Sequence, residues 1–402
     1  METTIIRENI AQAAEILRAG GLVGVPTETV YGLAGNGLDE QAVRQIYEVK
    51  GRPEVKPLAL MVHDAGEIEN YCEDVPEAAK KLAERFWPGP LSIVLKAKCG
   101  LVPDIVRAGG DTVSLRCPDH PLTLEALRLA EIPFAAPSAN PSGQPSPKTA
   151  QEVCEYFEGQ IEAVIDGGPC GLGRESTILD MSAVPYRILR QGALPAEEIE
   201  KALRDSLRLI GITGPSGCGK TTALKLLEEK GALVLDCDSV YHELLASDHT
   251  LLQDLEEAFP GTVRDGVLDR KSLGKRVFSD PAALRRLNDI THRAIGAEID
   301  RRLTAFALQG GSLAALDAIE LISSGLGAHC DLVVGILADR ETRLRRITAR
   351  DGISRGEAEM RVDAQKDDAY FIEHCDHIVC NDGDVAAFTS NFMKVIEEKQ
   401  HG

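Results

Sequence analysis

Apolar positions along this chain alternate between two rhythms. Residues 10–17 repeat apolar side chains at helical spacing and stop at Gly20-Gly21, and the apolar run 22–25 that follows predicts a strand. Residues 39–49 predict a capped amphipathic helix, a further helix closes at Phe86-Trp87-Pro88, and strands are predicted over 92–95 and 112–115. Residues 195–204 form a short helical pattern with Pro195 at its start. The apolar run at 209–212 then enters a glycine-rich turn and a helix, and 231–235 predicts the second strand of a parallel sheet. Helices are predicted over 251–259, 270–278 and 282–308, strands over 313–317 and 332–337, and arginine-rich helical patterns between 340 and 365.

Alternating strands and helices on both sides of residue 205 predict an α/β protein of two domains, 1–205 and 206–402, joined tightly because no Gly/Ser-rich or Pro-rich linker intervenes. Hydrophobic residues make up 44% of the chain and charged residues 27%, a balance that excludes global disorder. The net charge of −19 is spread over two acidic halves, which argues against broad electrostatic binding to nucleic acid. The first residues lack the basic and apolar regions of a signal peptide, no apolar run is long enough to span a membrane, and ten cysteines lie without paired spacing. A reducing cytoplasm is the expected setting. His374-Cys375-Asp376-His377-Ile378-Val379-Cys380 has metal-binding residue types, but Ile378-Val379 reads as a buried strand, and packing is the favoured account.

The strongest chemical pattern is Gly214-Pro215-Ser216-Gly217-Cys218-Gly219-Lys220-Thr221-Thr222. A strand, the sequence G-x-x-x-x-G-K-T and a helix, in that order, make a phosphate-binding P-loop. The glycines let backbone N–H groups turn toward phosphate oxygens, the helix adds the positive end of its dipole, Lys220 supplies a point charge, and Thr221 offers a hydroxyl to Mg2+. Asp236 and Asp238 end the next strand, where an α/β sheet places its chemistry. Either can accept a hydroxyl proton or order Mg2+, and either can instead cap the helix that follows. Cys218 lies at a helix N-terminus, which lowers a thiol pKa, so oxidation is expected to silence this site.

The first half carries a different set of polar clusters. Pro26-Thr27-Glu28-Thr29-Val30-Tyr31-Gly32-Leu33 crowds hydroxyls and a carboxylate at a strand end, which suits a small polar ligand and equally a capped turn. Lys50-Gly51-Arg52-Pro53 fixes two cations in a stiff loop, suited to a triphosphate or to a helix dipole. Arg116 ends a strand, Pro137-Ser138-Ala139-Asn140-Pro141 is a rigid polar loop, and Ser176 and Arg190 repeat polar groups at strand edges.

These motifs, with Phe86-Trp87-Pro88-Gly89-Pro90-Leu91 and Ser114-Leu115-Arg116-Cys117-Pro118-Asp119-His120-Pro121, occur in the order seen in the YrdC/Sua5 family, which residues 1–195 resemble. The resemblance implies a mixed twisted sheet with helices and an L-threonylcarbamoyladenylate synthase. ATP, L-threonine and bicarbonate would give threonylcarbamoyl-AMP and pyrophosphate for the tRNA threonylcarbamoyl-transfer machinery. By resemblance, Lys50, Arg52, Ser138 and Asn140 cradle the nucleotide phosphates, Thr27, Arg116 and Ser176 hold threonine or its carbamate, and Arg190 helps bind the nucleotide.

Residues 208–398 resemble dephospho-CoA kinase through Gly214 to Thr222, Asp236-Cys237-Asp238, Gly266-Val267-Leu268-Asp269-Arg270, Leu287-Asn288-Asp289-Ile290-Thr291-His292, Arg346, Arg350, Arg361, Gln365 and Asn381. The resemblance implies a parallel sheet with a helical cap and a lid, and transfer of the ATP γ-phosphate to the ribose 3′-hydroxyl of dephospho-CoA. Asp238 matches the proposed base, Lys220 and Thr221 the phosphate and Mg2+ groups, and Arg346 a lid arginine. Three positions depart from the family pattern: Arg293 where His-Pro is usual, Arg343 where glutamine is frequent, and Asp317-Ala318-Ile319-Glu320-Leu321 in place of Asp-Ile/Val-Pro-Leu-Leu. Two other readings keep the same residues: a second half that phosphorylates another small molecule of nucleoside type, and an RNA-binding first half joined to a regulatory NTPase.

Overall fold

The computed structural model describes residues 2–278, 280–318 and 320–398. The chain divides into two compact units, one of Met1–Ser206 with Leu308–Gly310 and one of Leu207–Ala307 with Gly311–Gly402.

Ten strands build the mixed sheet of the first unit: β1 (Thr4–Ile6), β2 (Val23–Val25), β3 (Gly32–Asn36), β4 (Ala59–Met61), β5 (Leu91–Lys96), β6 (Thr112–Arg116), β7 (Phe134–Ala135), β8 (Ala163–Ile165), β9 (Thr177–Asp180) and β10 (Arg187–Arg190). Their order across the sheet is β1-β8-β2-β3-β7-β4-β6-β5-β9-β10. β1 pairs parallel with β8, β2 antiparallel with β3, and β5 antiparallel with β6 but parallel with β9. The helices Ile10–Arg18 and Pro121–Ala130 bury Ala13, Ala14, Leu17, Ala126 and Leu127 in one apolar cluster with Val23, Val25 and Ile165. The helix Glu40–Lys50 starts where Asp39 Oδ1 accepts the N–H of Gln41 at 2.9 Å and ends at Gly51 in the left-handed region, φ +57°. Its last residue, Lys50, faces inward and is 3% exposed. Trp87 is buried as packing at its corner, its indole N–H donating to Leu91 O at 2.7 Å.

In the second unit the strands are β11 (Arg208–Thr213), β12 (Leu233–Asp236), β13 (Val263–Arg264), β14 (Val267–Leu268), β15 (Leu313–Asp317), β16 (Leu332–Leu337) and β17 (His377–Cys380). Five of them form an all-parallel sheet in the order β12-β15-β11-β16-β17. Ile210, Ile212, Ala223, Leu227, Val334, Ile336, Phe388 and Phe392 pack together as its core. Helices Cys237–Ser247, His249–Ala258, Arg270–Val277 and Pro281–Leu308 follow β12, and Arg340–Asp351 and Arg355–Asp363 follow β16.

The block read from its periodicity as helical also contains a small hairpin, β13 paired antiparallel with β14. Asp265 and Gly266 connect the strands with φ of +49° and +75°, the conformation an Asp-Gly hairpin turn adopts. Two-residue strands are too short to show an alternating pattern, and the dipeptide was their one legible mark. β17 carries His377 and Cys380, and its Val379 is buried. Among the described residues no three His, Cys, Asp or Glu side chains are grouped to hold a metal ion, and no helix is long and apolar enough to cross a membrane.

Candidate functional site

In the second unit, β11, β12 and β15 run parallel and end together. Asp236 and Asp317 are register partners at the carboxyl ends of β12 and β15, beside the loop that leaves β11. A cavity of about 440 Å³ opens there, lined by residues 215–221, Asp236, Asp238, Asp317, Ala318, Arg346 and Arg350. Gly214 and Thr222 do not line it. Gly214 supplies the carbonyl that accepts from Lys220 Nζ at 3.1 Å. The helix Lys220–Glu229 begins at Gly219, φ +101°, with no side chain capping it. No side chain therefore competes with an anion for its first N–H groups.

Asp236 serves as the N-cap of the helix Cys237–Ser247: Oδ1 accepts from the Asp238 N–H at 3.0 Å and Oδ2 from Ser239 Oγ at 2.7 Å. The cap reading is thus met, and the residue also lines the cavity. Asp317, which the sequence reading named only as the first residue of a motif that departs after it, lines this cavity. Burial, partly offset by Lys220, raises its carboxyl to about 6, and Asp236 and Asp238 add to the rise. Its Oδ1 is buried without a hydrogen-bond partner. Ile319 of the same motif lies outside the described residues.

One expectation changes here. Cys218 is fully buried in the apolar cluster and its Sγ lies against Gly214, so burial raises its thiol pKa despite the nearby Lys220. The reactive thiol expected from its place before a helix is absent because the side chain points into the core while only the backbone faces the cavity. Arg293, the first of the three departures, forms an exposed ion pair with Asp254 at 2.8 Å.

In the first unit a cavity of about 150 Å³ is lined by Arg52, Arg116, Ser138, Ser176 and Arg190, together with Ser92, Glu175 and ten further residues. β6 delivers Arg116 to its end, where Nη2 donates to Glu28 Oε1 and Thr29 Oγ1, both at 2.8 Å. Glu28 Oε2 accepts the Asp119 N–H at 3.0 Å, so this buried ion pair is satisfied on both sides. Arg190 donates to Ser176 O at 2.8 and 3.1 Å and to Ser176 Oγ at 3.2 Å, and Ser176 Oγ lies 2.9 Å from Ser92 Oγ. Arg52 donates from Nη2 to Pro57 O at 3.0 Å. Burial lowers the pKa of Arg52 and, against the counter-effect of Glu175, of Arg190.

Lys50, Asn140 and Thr27 are not in the cavity wall. Lys50 Nζ donates to Ser138 O and Asn140 O, and burial with the neighbouring Arg52 lowers its pKa to about 7. Asn140 Nδ2 donates to Gln144 O at 2.7 Å and to Pro141 O at 3.0 Å. Thr27 Oγ1 donates to Val30 O at 2.6 Å and accepts the N–H groups of Thr29 and Val30, the capped turn that was one of its two readings. These three fix the walls that carry Ser138 and Val30. Glu28 was read as part of a polar cluster without its tie to Arg116, and Ser92 was missed as a site residue. Their role needs partners 88 and 84 positions away, which spacing does not reveal.

Residues 15–192 match the Sua5/YciO/YrdC family model, described as telomere recombination, and residues 208–387 match the dephospho-CoA kinase family model. The first half is 48% identical over 203 residues to the threonylcarbamoyl-AMP synthase of Pyrococcus abyssi, covering 49% of this chain and 59% of that relative. The chain thus spans less than two thirds of that longer protein. It is 34% identical over 183 residues to the threonylcarbamoyl-AMP synthase of Pseudomonas syringae pv. syringae, covering 46% of this chain and 97% of the relative. The second half is 38% identical over 179 residues to the dephospho-CoA kinase of Symbiobacterium thermophilum, covering 44% of this chain and 75% of the relative.

Proposed function

The chain belongs to the Sua5/YciO/YrdC family in its first half and to the dephospho-CoA kinase family in its second, and from that premise we propose a bifunctional enzyme with two separate ATP-using sites. Residues 1–205 form threonylcarbamoyl-AMP and pyrophosphate from ATP, L-threonine and bicarbonate. Residues 206–402 phosphorylate the 3′-hydroxyl of dephospho-CoA. The observation that carries the reading is that each unit has its own cavity lined by the charges its reaction requires.

In the first unit no covalent nucleophile is needed. Bicarbonate loses water to give CO2, threonine nitrogen adds to it and sheds a proton to form a carbamate, the carbamate oxygen attacks the α-phosphorus, and the bond to pyrophosphate breaks. Arg116, oriented by Glu28 and Thr29, offers its remaining donors to the threonine carboxylate, with the Ser92 and Ser176 hydroxyls beside it. Arg52 and Arg190 stabilise charge on the nucleotide, and Lys50 and Asn140 hold the Ser138 loop in register. The product suits a downstream enzyme that transfers the threonylcarbamoyl group to tRNA.

In the second unit, backbone N–H groups of the loop and Lys220 hold the phosphates of ATP. Asp238 accepts the proton of the attacking hydroxyl, the γ-phosphoryl group moves to that oxygen, and ADP leaves while Arg346 offsets the developing charge. The Thr221 hydroxyl, the Asp236 carboxylate and the orphaned, buried Oδ1 of Asp317 would hold a hydrated Mg2+ ion, leaving Asp238 as the base. That ion would screen phosphate charge. Ten free thiols suit a reducing cytoplasm.

Incubating the purified chain with ATP and either threonine plus bicarbonate or dephospho-CoA, and reading pyrophosphate and ADP separately, tests both assignments. Threonine-dependent pyrophosphate and dephospho-CoA-dependent ADP are expected. ADP formation with a nucleoside but not with dephospho-CoA would overturn the acceptor assignment while leaving the synthase reading intact.

A further inference from the structure

A phosphate loop works by turning N–H groups inward, which turns its carbonyls outward. Outward carbonyls that are buried need donors of their own. In this chain the donors come from the helix Arg340–Asp351 and from Asn381. Arg346 Nη1 donates to Gly217 O at 3.3 Å and to Cys218 O at 3.2 Å, and Asn381 Nδ2 donates to Cys218 O at 2.8 Å. Arg343, which takes no part in the cavity wall, donates from Nε to Ser216 O at 3.2 Å and from Nη2 to Gln365 Oε1 at 3.0 Å. Gln365 Oε1 accepts the Ser216 N–H at 3.0 Å, and Gln365 Nε2 donates to Ser216 Oγ at 2.7 Å. Every polar group of Ser216 is thereby held from behind the loop.

The approach is close as well as polar. A Cβ on Gly217, φ +81°, would lie 2.9 Å from Arg343 O and 3.1 Å from Arg343 Cα, so helix and loop backbone touch with no room between them. Arg343 is 6% exposed, and among the described residues its one acidic neighbour within ion-pair range is Asp368 at 3.9 Å. A guanidinium is suited to this place because its planar fork directs Nε and Nη2 to two acceptors in fixed directions, where a lysine presents a compact point charge.

We infer that Arg343 and Gln365 are positioning residues for phosphoryl transfer, a clamp that sets the phosphate loop in its ligand-binding shape from its outer side; this rests on the kinase reading of the second unit. The clamp also fixes which part of the arginine-rich region is free to close. The first two turns of the helix Arg340–Asp351 are anchored to the loop through Arg343 and Arg346, so closure over ATP begins beyond Arg346.

The test uses the full chain with Arg343→Met, Gln365→Leu and Arg343→Lys, and with Arg340→Met as a control for loss of charge on the same helix. Amide hydrogen exchange of residues 214–220, measured without nucleotide, should speed up by about tenfold or more in the first two variants and less in Arg343→Lys, and stay unchanged in Arg340→Met. The KM for ATP should rise by about tenfold while kcat at saturating ATP changes little, and the double variant Arg343→Met/Gln365→Leu should be no worse than the poorer single one. Unchanged loop exchange in a folded Arg343→Met or Gln365→Leu protein overturns the clamp, as do fully additive losses. Failure of the unaltered chain to bind ATP sinks the kinase reading instead, and the exchange result still decides the clamp.

Discussion

Lys50 and Cys218 show how burial decides what a side chain does. The Lys50 ammonium has a folded pKa of about 7 against an ordinary value of 10.5, because burial disfavours its charge. Between those values the unfolded chain holds a proton that the folded chain has released, so stability of the first unit rises with pH. Below 7 both states are charged and the burial penalty is fully felt. Cys72 and Cys117, raised to about 12 from 9.0, act in the opposite direction above about pH 9. Between about pH 7 and 8.5 the first unit should therefore gain roughly 1 kcal/mol, and Lys50→Met should flatten the trend. Denaturant unfolding followed by fluorescence of Trp87, the single tryptophan, reads this unit specifically. For Cys218, a buried thiol with a raised pKa predicts that mild peroxide leaves dephospho-CoA-dependent ADP formation unchanged. A loss that Cys218→Ala prevents would show that the thiol is reached.

At the level of elements, the loop between β11 and its helix depends on glycines for space as much as for backbone freedom. Gly219 has φ +101°, and a Cβ there would lie 2.0 Å from Asn381 Nδ2. Gly219→Ala should cost the second unit about 1–3 kcal/mol through strain and a displaced Asn381, and should weaken ATP binding; calorimetric unfolding and ATP titration check both. The strand–loop–helix order and the two aspartates after β12 were legible because each is a local pattern. The network around Ser216 was not, since Arg343 and Gln365 lie 127 and 149 positions away in the chain. Arg343 stood out in the sequence only as a departure from a pattern, and its contacts supply the reason a longer, forked donor serves there. In the first unit the sequence reading put Lys50 and Asn140 on the nucleotide phosphates, whereas Lys50 donates to Ser138 O and Asn140 O behind the cavity wall, and charge type alone could not distinguish a wall from its support. Asp317 was legible as a strand end and not as an orphaned carboxylate, because orphaning depends on what its neighbours fail to offer.

On the scale of the whole chain, two cavities in two units predict separable chemistry. Lys220→Ala should abolish dephospho-CoA-dependent ADP and spare threonine-dependent pyrophosphate, and Arg52→Ala should do the reverse, each by about a hundredfold or more in kcat/KM. Paired assays on each purified variant check this, and loss of both products in a folded protein would contradict independent sites.

The central position of β11 has a further consequence during synthesis. Its neighbours β15 and β16 pair through Leu209↔Ala314 and Ile210↔Leu332, so both edges of this apolar strand wait for residues made about a hundred positions later. At about 5–20 residues per second, the ribosome exposes it unpaired for roughly 5–20 seconds. The phosphate loop is thus complete in sequence well before it has a shape, and until β16 emerges the nascent second unit is a client for chaperones before it is a receptor for ATP.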